Sequence, residues 1–396
     1  MSYLKKLTLS LIILSLVFIS SCWDRTELDE QAIWLATAWD VAEDGKIEVS
    51  GQIVIPGNLS MKGEGSGDQP FYVVSSKGDS VGEVLNHVQE KLSRKAFVGQ
   101  RKVILFSEEF AKKGLKELLD NVNRTPLQSL RGGLFIVKEV AAKEALKQPS
   151  HLEKFSAIAI LKEHRLAGGR ADTLYLQFLI AANKDGVRPT LPILEISGLT
   201  NDSETDSASS ETVLRLAGVS IFDEQLKMQG MLNNEDNRNM LWVMDMLHEK
   251  VIDSEYSGHA ISAHLYNLSS KITAQIEHDE VVGFTVHLKG TGILEENNSS
   301  LDMRENKNVN KFEKIFKKKA EDLMSESITK VQNDYGLDIF GFGELLHRKH
   351  PTLWNSLKDD WDEHFSDVSI TVEAEIKLKE IGLDGPSILF KRSGEK

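Results

Sequence analysis

The sequence predicts an α+β protein of two or three domains, each a mostly antiparallel or mixed β-sheet flanked by helices, behind a cleaved N-terminal segment. Three observations predict it. The chain has 396 residues, and domains of ~150 residues give a prior of two or three. Short apolar runs of period two alternate with segments of helical spacing, which in the first half fits α/β as well as α+β. An acidic, Ser-rich stretch at 201–212 interrupts that pattern, and strands restart after it. The expected organisation is a leader at 1–21, an N-terminal α+β region at 22–200 of one or two subdomains, a linker or loop at 201–212, and a C-terminal α+β domain at 213–396.

The leader comes first. Lys5 and Lys6 precede an apolar run from Leu7 to Ile19, which ends at Ser20, Ser21 and Cys22. A basic start, a short apolar core and small residues before a junction make a secretory signal. The run falls short of the ~20 residues that span a bilayer. Ile19-Ser20-Ser21-Cys22 resembles the bacterial lipobox, with Ile19 and Ser21 where Leu and Gly or Ala are commoner. That motif implies cleavage between Ser21 and Cys22 and a Cys22 carrying S-diacylglycerol and an N-palmitoyl chain. Cys22 is the only cysteine, so the chain has no intrachain disulfide and no Cys-rich metal site. The formal net charge of −13 argues against nucleic-acid binding. Losing Lys5 and Lys6 leaves the body more acidic still. Its surface charge then opposes contact with anionic lipid, whereas two acyl chains hold it stably.

Along the body, Ile33 to Trp39 and Ile47 to Ile55 read as two strands joined at Asp44-Gly45. Gly57 to Gly67 is a loop whose glycines match neither a phosphate loop nor a nucleophile elbow. Val81, Val84, Leu85, Val88 and Leu92 have helical spacing after a capping Ser80. Val103 to Phe106 is a strand, and Ser107 opens a helix carrying Phe110, Leu115, Leu118 and Leu119. Leu134 to Val137 is a strand, followed by helices at 141–147, 152–164 and 171–182. Leu191 to Ile196 is extended. After the linker, Arg215 to Phe222 and Lys227 to Leu232 are strands, and Asn234 or Asp236 caps a helix holding Met240, Leu241, Met244 and Leu247. Strands are expected at 262–268, 271–276 and 284–294. Phe312, Ile315, Phe316, Leu323, Met324, Ile328, Val331 and Tyr335 mark a helix of about seven turns. Strict alternation from Val368 to Leu378 predicts a half-buried, antiparallel-type strand.

Few residues carry recognisable chemistry. His347 and His350 are three apart on a helix, but Arg348 and Lys349 between them oppose a metal cation. His259 and His264 suggest nothing stronger. Glu108-Glu109, Glu295-Glu296 and Asp359-Asp360 read as solvated ends of elements. No Ser-His-Asp set stands in a nucleophile context, so no catalytic residue, metal site or cofactor is assigned. Lys311, Lys314, Lys317, Lys318 and Lys319 share a helix with Phe312, Ile315 and Phe316. They read as an outer charged face, or as a contact for anionic lipid or an acidic partner.

Several motifs in order resemble the Ger(x)C spore-germination lipoproteins, the C subunits of nutrient germinant receptors. They are Cys22-Trp23-Asp24-Arg25-Thr26-Glu27-Leu28 with Ala32-Ile33, Gly99 to Glu109, Asn123-Arg124-Thr125-Pro126, Gly218 to Arg238, and finally Gly341-Phe342-Gly343-Glu344 through His347 to Pro351, Leu353-Trp354 and Trp361-Asp362. The resemblance spans nearly the whole mature chain. It implies sheets flanked by helices, and work beside integral membrane A- and B-type receptor subunits at the spore inner membrane. The protein would sit on the outer face through its acyl anchor. Trp23, Asp24, Arg25 and Glu27, held next to the bilayer by Cys22, are the expected partner contacts. The 341–361 segment reads as domain packing or as a subunit interface. A solute-binding lipoprotein with a cleft between lobes, and a lipid-anchored cell-wall hydrolase, remain as alternatives.

Overall fold

The structure, a computed structural model, describes residues 27–59, 69–124, 129–148, 152–167, 174–198 and 212–380, together with Tyr3. Ser21, Cys22, Trp23, Asp24 and Arg25 lie outside the described residues, as do 201–211 of the linker.

β1 (Gln31–Val41) and β2 (Ile47–Val54) pair antiparallel, and β3 (Phe71–Gly78) joins β2 in the same sense. β4 (Lys95–Phe97) and β5 (Val103–Ser107) run parallel to successive parts of β1. β6 (Gly133–Val137) and β7 (Thr190–Ser197) continue in parallel, whereas β8 (Val213–Phe222) and β9 (Met228–Asn233) return antiparallel. The sheet order is β3-β2-β1-β5-β6-β7-β8-β9, with β4 beside the start of β1. Both faces are covered, as a sheet with buried parallel strands requires. α1 (Val81–Glu90), α2 (Glu108–Lys113), α3 (Lys116–Asn123) and, later in the chain, α6 (Leu174–Ala182) pack on one face over Trp39, Ile104 and Ile136. α4 (Ala142–Lys147) and α5 (Ser156–Leu166) pack on the other over Ala38, Leu105 and Phe135.

Local chemistry sets the helix starts. The Ser80 hydroxyl accepts from the Glu83 N–H at 3.2 Å, and the Ser107 hydroxyl from the Phe110 N–H at 3.3 Å. The single helix expected after Ser107 is two, α2 and α3. Gly114, with φ of +116°, turns the chain between them in a conformation that L side chains rarely adopt.

The second sheet has the order β10-β11-β12-β13. β10 (Glu249–Tyr256), which the sequence pattern did not reveal, pairs antiparallel with β11 (His259–Glu277). β11 unites the two strands expected at 262–268 and 271–276. Asn267, at φ +50°, sits where the register shifts, and the polar run around it hides the continuity. β12 (Glu280–Asn297) is antiparallel to β11. β13 (Ile370–Glu380) alternates as expected but lies parallel to β12, which corrects the antiparallel reading. Alternation reports one buried face and says nothing of direction. Direction comes from the long helical crossover between β12 and β13. That crossover holds α8 (Asn306–Asp334), α9 (Phe342–Lys349), α10 (Pro351–Leu357) and α11 (Trp361–Asp367). Pro351 starts α10 immediately after α9 ends, as its missing N–H dictates. Phe312, Phe316, Met324 and Ile328 of α8 pack on Phe284, Val286 and Leu288.

β8 and β9, which follow the linker in sequence, are hydrogen-bonded into the first sheet rather than the second. Val219, Ile221 and Leu232 nevertheless join the core of the second sheet, while Phe222 and Met228 join that of the first. α7 (Asn234–Val243) begins at an Asn233 cap, whose side chain accepts from the Asp236 N–H at 2.8 Å. The cap thus falls one residue before the expected Asn234, because β9 ends at Asn233.

Candidate functional site

The most elaborate polar construction among the described residues joins the two sheets. It is built from the segment between α6 and β7, residues 183–189, and from the loop and helices at 337–362. Asp338 lies fully buried between apolar Leu337, Ile339 and Phe340. One carboxylate oxygen accepts from the N–H groups of Phe340 at 3.0 Å and Gly341 at 2.8 Å. The other accepts from the Gly343 N–H at 2.8 Å and the Trp361 Nε1–H at 3.2 Å. Burial pushes this carboxyl up to about 6 against those four donors. Gly341, at φ +88°, lets the chain wrap around the carboxylate and enter α9.

The partner segment docks on that loop by its backbone. The Arg188 N–H donates to the Asp338 carbonyl at 2.7 Å, and the Glu344 N–H donates to the Gly186 carbonyl at 2.9 Å. Gly186 and Gly343 face each other so closely that a Cβ on Gly343 would lie 2.8 Å from the Gly186 Cα. The Arg188 guanidinium donates to Asp362 at 2.8 Å and pairs with Glu224 at 2.9 Å. It thereby ties the first sheet's β8–β9 turn to α11. Its charge is held by the two acids despite burial.

Two cavities of about 390 Å³ flank this clasp. One is lined by Lys184, Met244, Lys271, Ile272, Leu345 and Arg348. The other is lined by Asp185, Arg188, Glu224, Trp354, Asp359 and Trp361. The arrangement can fix two sheets in one relative orientation and offer clefts at their junction. Among the described residues there is no group of three His, Cys, Asp or Glu that could hold a metal.

Several residues noted from sequence are placed here. His347 stacks on Trp354 with ring centroids 5.9 Å apart and has Nδ1 3.7 Å from Asp185, so it spans the junction, while His350 ends α9. The 341–361 segment packs with the second core through Phe342, Leu345, Trp354 and Trp361. His264 lies elsewhere, on β11 between Glu249 and Glu295. In the lysine run of α8, Lys317 and Lys318 pair with Glu321 and Asp322 one turn on. Glu27 is exposed, just before the short turn Leu28–Glu30 that leads into β1. Arg188 and Asp338 were not singled out from sequence. Their signals were Asp185-Gly186, a turn dipeptide, and a lone acid inside an apolar run.

Comparison with known proteins agrees along the whole body. Residues 24–196 match the model of the spore germination protein N-terminal domain, and residues 217–382 match that of the spore germination B3/GerAC-like C-terminal domain. Spore germination protein KC of Bacillus subtilis (strain 168) is 24% identical over 392 residues, covering 94% of this chain and 95% of that protein. Spore germination protein GerQC of Bacillus cereus is 25% identical over 381 residues, covering 93% and 96%. The crystal structure of the GerBC protein has the same fold, with a TM-score of 0.55 at 18% identity, over 87% of this chain and 97% of that one. Two domain models in order, and relatives matched along nearly their full length, place the chain in the Ger(x)C family of spore germination proteins.

Proposed function

We propose that the protein is a lipid-anchored, non-enzymatic subunit of a spore nutrient germinant receptor, working beside integral membrane A- and B-type subunits on the outer face of the spore inner membrane. The observation that carries this reading is the single cysteine, Cys22, directly behind an apolar leader and in front of a germination-family body. Among the described residues no helix is long and apolar enough to cross a membrane. An acyl anchor at Cys22 would attach the body to the membrane. Tethering raises the body's effective concentration at its partners, so assembly becomes an intramolecular search. Trp23, Asp24, Arg25 and Glu27 are then the residues nearest the bilayer.

The test is Cys22→Ala in the sporulating organism. The expected outcome is loss of the chain from the membrane fraction, loss of the diacylglyceryl mass from its N-terminus, and a weakened nutrient response in spores that form normally. Retention of the variant at the membrane with a full response would overturn the reading. The two junction cavities favour one rival, a solute-binding lipoprotein. Saturable heat on titrating amino acids or sugars into the purified chain supports that rival, and its absence removes it.

A further inference from the structure

We infer that the end of the first sheet where β1 begins is a membrane-docking surface, in which exposed apolar side chains enter the lipid interface and Arg94 and Lys95 meet lipid phosphates. This rests on the proposed anchor at Cys22.

The tether is short. Eight residues lie between Cys22 and Gln31 at the start of β1, and the nine Cα–Cα steps they make reach ~30 Å when fully extended. The turn at Leu28–Glu30 rises less per residue and shortens the reach. β1 itself has 11 residues and, at ~3.3 Å per residue, is ~35 Å long, more than the tether can span. The anchor therefore decides which end of the sheet can touch lipid, and it selects the start of β1.

Strand registers identify what shares that end. Trp34 pairs with Ile53 near the end of β2, and Val54 pairs with Phe71 at the start of β3. Gln31 pairs with Lys95 in β4. Three exposed apolar side chains gather at this rim. Leu59 is 38% exposed, Tyr72 43% and Leu152 92%. Leu152 precedes Lys154, whose ammonium donates to the Leu59 carbonyl at 2.9 Å, and Phe155, whose ring lies 6.1 Å from that of Phe71. Tyr72 borders a cavity of about 330 Å³, floored by Ile53, Val54, Ile55 and Leu92 and rimmed by Arg94. Apolar side chains with Tyr and Arg or Lys at their border are the composition that suits the headgroup boundary.

Charge makes the same choice. Arg94 and Lys95 are exposed, and among the described residues neither has an acidic partner. Glu27, Asp29 and Glu30 belong to the tether itself. The opposite end of the sheet carries Glu43 and Asp44 in the β1–β2 turn, Asp79 after β3, and Glu108 and Glu109 after β5. Lys46 pairs with Asp79 at 3.2 Å and Lys112 with Glu108 at 2.6 Å, so acids still outnumber lysines there. An acidic body of this kind can approach an anionic leaflet only by its less acidic end.

The test uses the full-length lipidated chain, in which acylated Cys22 leaves an introduced cysteine as the one free thiol. Leu59→Cys and Leu152→Cys report on the docking rim, and Glu43→Cys reports on the far end. Each is labelled with an environment-sensitive fluorophore and reconstituted on vesicles of phosphatidylcholine and phosphatidylglycerol containing nitroxide-labelled lipid. The expected result is quenching several-fold stronger at 59 and 152 than at 43, falling to the level at 43 when Arg94→Glu and Lys95→Glu are added. Equal quenching at all three positions, with the chain still floating on the vesicles, overturns the docking surface and leaves the anchor standing. A chain that does not float overturns the anchor and this orientation together. Quenching at 59 and 152 that survives charge reversal removes Arg94 and Lys95 from the surface.

Discussion

At the scale of one residue, Gly343 shows how tightly the two sheets are joined. A Cβ there would lie 2.6 Å from the Trp361 Nε1 and 2.8 Å from the Gly186 Cα. The tryptophan cannot swing away cheaply, because the same Nε1–H donates to Asp338. Gly186 cannot retreat without losing the Glu344 N–H from its carbonyl. Gly343→Ala is therefore expected to destabilise the folded chain by about 1–3 kcal/mol, the range for overpacking a filled core. The shift of the urea midpoint measures it. The φ of this glycine is not in the left-handed region, so the cost is steric and Gly343→Ser should cost at least as much.

Among the elements, β13 shows how a free strand edge is closed. The N–H groups of Ala374 and Leu378 point away from β12 and donate to Glu321 and Glu313 of α8, each at 3.0 Å. These acids, eight residues apart on one helix face, cover an edge that would otherwise recruit another strand. Replacing both by Ala is expected to cost about 2 kcal/mol, since each charge-assisted bond is worth roughly 1.5–3 kcal/mol before solvent screening. Faster amide exchange at Ala374 and Leu378 checks it directly. Sequence showed this strand through its alternation and the helix through its 3.6 spacing, because both are local patterns. It could not show that a helix carboxylate would cap the edge or that the strand runs parallel, since both depend on a crossover of some 70 residues. β10 was hidden for another reason. Lys250, at a buried position, breaks the apolar alternation a strand reading needs. The clasp was the least legible part. Arg188 and Asp362 are 174 residues apart, and nothing near either announces the other.

Across the whole molecule, two buried titrations oppose each other. His164 lies edge-on to the Phe135 ring at 5.5 Å, with its Nδ1 unpartnered among the described residues, and burial lowers it from 6.5 to about 4. Folding therefore keeps it neutral. Its contribution is fully present above pH 6.5 and is lost as pH falls toward 4, a change of about 3 kcal/mol. Asp338 is raised from 3.8 to about 6, so the folded chain holds a proton that the unfolded chain has released. Its contribution grows as pH falls from above 6 toward 4, again by about 3 kcal/mol. In one cooperative unit the two nearly cancel between pH 6 and 4, and single variants uncover them. Relative to the parent, His164→Leu is expected to gain stability on acidification from pH 7 to 4.5. Asp338→Asn is expected to lose it over the same interval. Urea unfolding at the two pH values gives both differences, and subtraction from the parent removes the other carboxylates. The cancellation requires that β8 and β9 bind the two cores into one unit, with Ile221 in one and Phe222 in the other. If the chain unfolds in two steps instead, the step that exposes His164 will weaken with acid and the step that opens the clasp will strengthen. The curves would then separate as pH falls, and these strands would be shown to divide the molecule rather than join it.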